Sequence, residues 1–437
     1  MRKEFDIIVA GGGAAGVAAA LAATRNGAKT LLIERDGYLG GTVTHCSLPT
    51  FCPFADPEKP IVRGIGMEIL NRLKSEMELV SFYDDRPEKP MYNWFPIDGE
   101  ALKRVLDEII LESGCELLLH TDLIGCETKD GAITGLTCQT PGGRLTLSGK
   151  TYIDCTGNAA LAAMAGCETR IGDENGEVQS ATLCFTIANF DTERFVQYFR
   201  ETGEGGNLEN ACRRALMDHA FPEGERLVSG FSFPAPGIAV WNFGHVFNID
   251  PLDAVSLTQA EIAGRKQIGE LLRFLRTYVP GAEKATLVSS GPVIGIRESR
   301  RVVGRYTLTR EDYLRRANFD DAIASYCYPI DIHAGRKQDL AEQNDQFRQL
   351  QYRPGEFYGI PYRCLTPIGI NNLLAAGKII SCDRAMLASV RVVPCCFATG
   401  QAAGTAAALA AKESHPVAGV DVDGLRAILI KQDCEIR

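Results

Sequence analysis

Residues 5–10, "FDIIVA", form a short apolar run of the kind a fully buried strand carries. Glycines follow, then an alanine-rich stretch to about Asn26 that reads as a helix, then a second strand, "KTLLIER". This is a βαβ unit. In "GEALKRVLDEIILESG" (99–114), Leu102, Val105, Leu106, Ile109 and Ile110 recur at helical spacing, and Gly114 closes the helix before the strand "CELLLHT". Residues 131–149 read as a β meander turning at Gly131 and at Pro141-Gly142-Gly143. "KTYIDCTGNAALAAMAG" then returns as a buried strand entering a second turn of small residues.

From about residue 176 to 360 the pattern changes. Polar and aromatic stretches, the Gly/Pro-rich "SGFSFPAPGIAVWNFGHV" and the charged helix "QAEIAGRKQIGELLRFLRTY" predict an inserted domain with its own mixed sheet. "NNLLAAGKIIS" and "CFATGQAAGTAAALAAK" then restore the strand, glycine and alanine-helix style of the N-terminus. The prediction is an α/β fold in which the first domain is discontinuous. Residues 1–175 begin it, 176–360 are an inserted α+β substrate or cap domain, and 361–437 close it. A length of 437 residues agrees, because it exceeds what one core usually holds.

Composition narrows the function. With Asp+Glu 55 against Lys+Arg 46 the net charge is −9, which argues against a nucleic-acid-binding surface and for a small-molecule substrate. The 15 cysteines show no CxxC and no Cys/His cluster at zinc spacing, so no metal is expected. Most thiols read as buried filler in a reducing compartment. The start, "MRKEFDIIVAGGGAAGVAAALAA", mimics a signal peptide, but Asp6 and the glycine cluster spoil that reading and that of a membrane span. The expectation is a cytoplasmic protein with no membrane span; a homo-oligomer stays open.

The turn after the first strand holds Gly11-x-Gly13-x-x-Gly16, and Glu34 ends the next strand. The first glycine permits the tight turn, the second lets a pyrophosphate approach backbone N–H groups, and the third allows close helix–strand packing. The helix N-terminus favours the phosphates, and Glu34 is placed to accept hydrogen bonds from ribose hydroxyls. The combination predicts a Rossmann-like dinucleotide site.

Further segments carry a resemblance. "ERDGYLGGT" places Gly40, Gly41 and Thr42 shortly after Glu34; "TYIDCTGNA" ends a strand in Thr156-Gly157; and "NNLLAAGKIIS…RVVPCCFATGQAAG" brings a helix start near Gly400. In this order they resemble the FAD-dependent oxidoreductase family of the glutathione-reductase-like superfamily. "GIRESRRVVGRYTLTREDY" (295–313), "YPIDIH" (328–333) and "YGIPYRCLTP" (358–367) are similar to recurring segments of that family. The resemblance implies FAD rather than NAD as the cofactor. It implies contacts from Gly11, Gly13, Ala14, Ala15 and Gly16 at the first turn, and from Glu34, Arg35, Gly40, Gly41, Thr42 and Leu123 beyond it. Thr156, Gly157 and Gly377, and then Gly400, Gln401, Ala402 and Gly404, complete the set. Asn158 departs from the Asp that related chains often carry after the Thr-Gly turn.

Flavin chemistry needs a proton-exchanging group and positive charge or N–H dipoles near the ring. The helix entered through "TGQAAG" offers the dipoles, and Arg391 offers a charge at the flavin or at an anionic substrate, or else a salt bridge to a loop carboxylate. His45, after the Gly-Gly-Thr turn, reads as a proton donor, a covalent flavin anchor or a structural histidine. His333 beside Asp331 reads as a substrate-orienting or proton-relaying pair. Arg297, Glu298, Arg300 and Arg301 form a charge run, read by default as a solvated or salt-bridged helix face, with at least one arginine structuring the domain junction.

The reaction expected is hydride transfer between a small organic substrate and flavin N5. No second GxGxxG domain is visible, so a separate electron donor or acceptor is expected. Three alternatives remain. A flavin-dependent RNA-modification enzyme is disfavoured by the acidic charge, and a non-redox use of FAD would show no flavin reduction. A disulfide reductase would use Cys395 and Cys396, or Cys46 and Cys52 in "CSLPTFC", one residue longer than a CxxxxC pair; these thiols read instead as packing.

Overall fold

The computed structural model describes residues 4–56, 59–80, 94–222, 225, 227–228, 230–339 and 350–437. Ile7, Ile8 and Val9 are fully buried because their strand, β1 (Glu4–Ala10), has parallel neighbours on both sides. The helix α1 (Ala14–Arg25) leads from it to the first neighbour, β2 (Thr30–Ile33). The helix α2 (Gly99–Ser113) begins at Asp98, whose carboxylate accepts from the N–H groups of Glu100 and Ala101, and stops at left-handed Gly114. The strands β3 (Glu116–Leu118), β4 (Asp122–Lys129), β5 (Ala132–Thr140) and β6 (Gly143–Asp154) follow. Strand β6 pairs antiparallel with β5 in its first half and parallel with β1 in its second.

The next unit is a sheet of β7 (Phe185–Ala188), β8 (Gly230–Ala235), β9 (Ile238–Asn242) and β10 (Thr286–Ser290), with α3 (Ala254–Tyr278) between the last two. Its order is β8-β9-β7-β10. Every pairing is antiparallel, so the mixed sheet read from the sequence does not form. The two-residue turn at Pro236-Gly237, with Gly237 at φ +79, folds β9 straight back on β8, a connection that only antiparallel strands use. Phe185, Phe233 and Trp241 pack with Ile268, Leu271 and Phe274 of α3 in a core of their own.

The chain then returns to the first sheet. Tyr326 and Tyr358 join the core built by α1. β11 (Leu373–Ala375) pairs parallel with β6, giving among the described residues a seven-stranded sheet ordered β3-β2-β1-β6-β5-β4, with β11 beside β6. α4 (Arg384–Val390) and α5 (Val393–Glu413) close the chain against it, with a 92° bend between them. No single helix among the described residues is long and apolar enough to cross a membrane.

The helix expected to begin near Gly400 begins at Val393 instead, where Pro394 suits a first turn whose N–H groups have no intrahelical partner. Gly400 and Gly404 lie inside α5, and a Cβ on either would collide with a backbone carbonyl of α1, that of Ala15 or Ala19. These glycines let the two alanine-rich helices touch.

Register places the site. Ala10 pairs with both Ile33 and Asp154, and Asp154 with Ala375, so four parallel strands end level. Their following turns open onto one crevice at the carboxyl edge, where doubly wound sheets hold ligands.

Candidate active site

That crevice is one end of a cavity of about 1460 Å³. Drug-sized ligands occupy roughly 300–1,000 Å³, so the space suits a dinucleotide with a second molecule beside it. Of the expected residues, Gly11, Gly13, Ala14, Ala15, Glu34, Arg35, Gly40, Gly41, Thr42, Leu123, Thr156, Gly157 and Gly377 line it, with His45, Arg297, His333 and Arg391.

At the nucleotide end, Gly11 sits at φ +100, and a Cβ there would lie 2.5 Å from the Cys155 carbonyl oxygen. α1 has no side-chain cap and no acidic residue in its first turn, so the N–H groups of Ala14 and Ala15 are left for an anion in the cavity. Gly16 faces the carbonyl of Gly11 and serves helix–strand packing, as the third glycine should. Glu34 is clamped from both sides: Oε2 accepts the Gly12 N–H at 2.6 Å and Oε1 the Asp36 N–H at 2.9 Å. Burial nonetheless pushes its pKa up. The Thr156-Gly157 turn is shaped by fully buried Asp154, which accepts from the N–H and hydroxyl of Thr156 and the N–H of Ala162.

At the other end a chain of polar groups crosses the cavity wall. Glu225 Oε2 lies 2.8 Å from His245 Nδ1, His245 Nε2 lies 3.0 Å from His333 Nδ1, and His333 Nε2 lies 3.4 Å from Asp331 Oδ2. Gln267 donates to the far oxygen of Glu225 at 3.3 Å, and Tyr328 donates to Asp331 at 3.3 Å. Two carboxylates accept at the ends, and two imidazoles share the contact between them. Satisfying all three links takes three protons on four ring nitrogens, which is one more than two neutral rings carry. Desolvation and the nearby Arg297 lower the His333 pKa to about 3, so His333 rests as the neutral ring. Burial alone would raise Asp331, yet His333, Arg391 and Arg297 together hold it well below the usual carboxylate range.

Arg391 meets Asp331 through Nη2, at 2.8 Å from the carbonyl oxygen and 3.2 Å from Oδ2, so the salt bridge to a loop carboxylate is formed. Its Nε is buried without a partner. Two residues of this region had no sequence signal. Glu225 and His245 lie far apart from His333 in the chain and meet it only through the fold of the second sheet. A third, Lys378, follows Gly377 and donates from Nζ to the Ile296 carbonyl at 2.7 Å, with its pKa lowered by burial. Lys378 lies within 3.4 Å of where a Cβ on Gly157 would stand.

Other expectations are corrected. Gly400, Gln401, Ala402 and Gly404 are buried in α5 away from the cavity; Gln401 Oε1 instead accepts the Ile65 N–H at 2.9 Å. The dipole end of α5 is at Val393, which lines the cavity with Val392 and Cys396. The run from Arg297 to Arg301 forms no helix, and of its two readings the salt-bridged one holds. Glu298 and Arg301 are buried and paired at 2.6 Å, with Arg384 Nε also 3.3 Å from Glu298, which makes them the junction. His45 is tied through Nδ1 to the Tyr38 hydroxyl at 2.8 Å and Asp36 at 3.1 Å. Burial pushes the thiols of Cys46, Cys52 and Cys396 up to about 12 and that of Cys395 well above its usual value, so none is poised as a thiolate. Asn158 lines the cavity, its carbonyl accepting from Arg300 at 2.9 Å.

The residues present fit FAD on their own geometry: glycines where side chains would fill the turn, uncommitted N–H groups for a pyrophosphate, and an acidic residue at the ribose position. A family model described as FAD dependent oxidoreductase matches residues 6–429. No curated protein sequence matches the chain. Among solved structures, a geranylgeranyl bacteriochlorophyll reductase-like protein from Thermoplasma acidophilum aligns over 99% of this chain and 82% of its own, at 13% identity and a TM-score of 0.46. The p-nitrophenol 4-monooxygenase of Pseudomonas putida aligns over 98% and 81%, at 10% identity and 0.45. The myxobacterial chondrochloren halogenase aligns over 98% and 78%, at 13% identity and 0.47. At these TM-scores the likenesses carry no argument about the reaction.

Proposed function

The chain belongs to the FAD-dependent oxidoreductase family, and from that premise we propose that it transfers a hydride between a small organic substrate and flavin N5. The observation that carries this reading is the Glu225–His245–His333–Asp331 chain, which lines the same cavity as the dinucleotide turn. When bound, FAD supplies a ring that takes up or returns a hydride. The N–H groups of Ala14 and Ala15 hold the pyrophosphate, Glu34 the ribose, and the turns at Gly40-Gly41 and Thr156-Gly157 leave room for the rest.

Hydride chemistry at a carbon bearing O–H or N–H also moves a proton, and the histidine chain handles it. In the direction that protonates substrate, His333 gives the proton on Nε2 and is refilled at Nδ1 from His245 Nε2 across 3.0 Å. In the other direction the same two hops run backwards. Glu225 holds His245 in place, while Asp331, kept ionised by Arg391, orients His333. A separate electron donor or acceptor completes the cycle.

The test is to screen small metabolites anaerobically for bleaching of the bound flavin. Bleaching by one of them supports the reading. A yellow, FAD-saturated protein that none of them reduces, and that instead catalyses a non-redox conversion, contradicts it.

A further inference from the structure

Arg297 and Arg391 stand on the same cavity wall, yet only one of them is neutralised. Arg391 is engaged by Asp331. Arg297 donates from Nη1 to the Ser180 carbonyl at 2.8 Å and makes no ion pair among the described residues. Among the described residues Nη1 is the Arg297 nitrogen with a hydrogen bond, and the residue lines the cavity, which leaves Nε and Nη2 for a ligand there. The backbone around it is held: Gly295 pairs with Thr182, and the Ile296 carbonyl takes the Lys378 ammonium.

The carboxylates nearby are already committed. Asp331 serves Arg391, His333 and Tyr328, and Glu225 serves His245 and Gln267. Arg297 therefore lines the cavity with no carboxylate at ion-pair distance among the described residues, Asp331 and Glu225 acting on it only from farther off, and burial next to Arg391 lowers its pKa to about 10. A guanidinium partly withdrawn from water is costly unless an anion meets it. Two adjacent N–H donors on one planar fork match the two oxygens of a carboxylate. Lys378, which also lines the cavity, is engaged by the Ile296 carbonyl and lies beside Gly157.

We propose that Arg297 anchors a carboxylate of the substrate through Nε and Nη2, which makes the substrate a small organic acid. This rests on the reading of the cavity as the site where substrate meets flavin. It places the acid group beside His333, whose proton equilibrium Arg297 already influences.

The FAD-loaded protein is titrated with glycolate, lactate, succinate and benzoate and with their primary amides, following the visible spectrum of the bound flavin and the heat of binding. At least one acid is expected to saturate the site about tenfold or more tighter than its amide, the scale of a charge-assisted hydrogen-bond pair. Arg297→Met should abolish that preference, and Arg297→Lys, which keeps the charge but loses the fork, should retain part of it. If no acid outbinds its amide, or if both variants keep the full preference, the anchor is wrong. Should the Met variant fail to hold FAD, the Lys variant and the acid–amide comparison on the unaltered protein decide alone. Anaerobic bleaching is read in parallel. Acids that bind without bleaching support the anchor and count against hydride transfer, and bleaching by neutral metabolites alone overturns the anchor while keeping the redox reading.

Discussion

His245 Nε2 lies 3.0 Å from His333 Nδ1, and each ring is held on its other nitrogen side by a carboxylate. Making all three links between the two acceptors takes three protons on four nitrogens. The contact is therefore a path along which a proton can pass between the rings at the cavity wall.

Removing the pair's inner member should stop proton exchange without emptying the cofactor site. His333→Gln is expected to retain FAD and to slow flavin reduction by about 10²–10⁴-fold, the usual worth of a positioned acid–base group. Anaerobic stopped-flow measurement of flavin reduction checks this. An unchanged rate would move the proton step elsewhere.

The same residue makes a pH prediction. His333 in the folded protein has its pKa lowered to about 3 from 6.5, so between those values the unfolded chain binds a proton that the folded chain does not. Stability is then full above pH 6.5 and is lost as pH falls toward 3. His333→Gln should lose less thermal stability than the unaltered protein when pH is lowered from neutral into that window. Equal losses in the two proteins would show that the ring is not the titrating group.

Gly404 tests the packing reading of α5. Gly404→Ala pushes a methyl group into the carbonyl of Ala19 and should cost about 1–3 kcal/mol in urea unfolding, the scale of an overpacked core, while FAD still binds. Loss of FAD at unchanged stability would instead restore Gly404 as a cofactor contact.

The adjacent thiols of α5 make a fourth case. Cys395→Ala combined with Cys396→Ala should leave flavin reduction and turnover intact, because burial holds both thiols protonated. Loss of turnover with FAD retained would reinstate a redox role.

What the sequence disclosed and what it hid divide along physical lines. The βαβ unit, the helix from Asp98 to Gly114 and the strand running into Thr156-Gly157 were legible because local periodicity, caps and glycine turns set them. The glycines of α5 misled, since glycine that permits helix contact and glycine that opens a helix start look alike in a chain of alanines. Arg391 and His333 stand in short motifs and were found. Glu225 and His245 carry no motif, and their partnership with His333 exists only because the second sheet and the 328–333 segment meet at the cavity. The charge run at 297–301 showed its composition but not its burial, and burial is what turned Glu298 and Arg301 into a junction while Arg297 lines the cavity.

The most direct test of the central claim is anaerobic reduction of the FAD-loaded protein by a panel of small acids, alcohols and amines, repeated with the reacting carbon deuterated. The account predicts that one compound bleaches the flavin with a primary isotope effect, and that His333→Gln slows the same reduction while FAD stays bound. Bleaching with no isotope effect in either protein, and at the same rate in both, would contradict it.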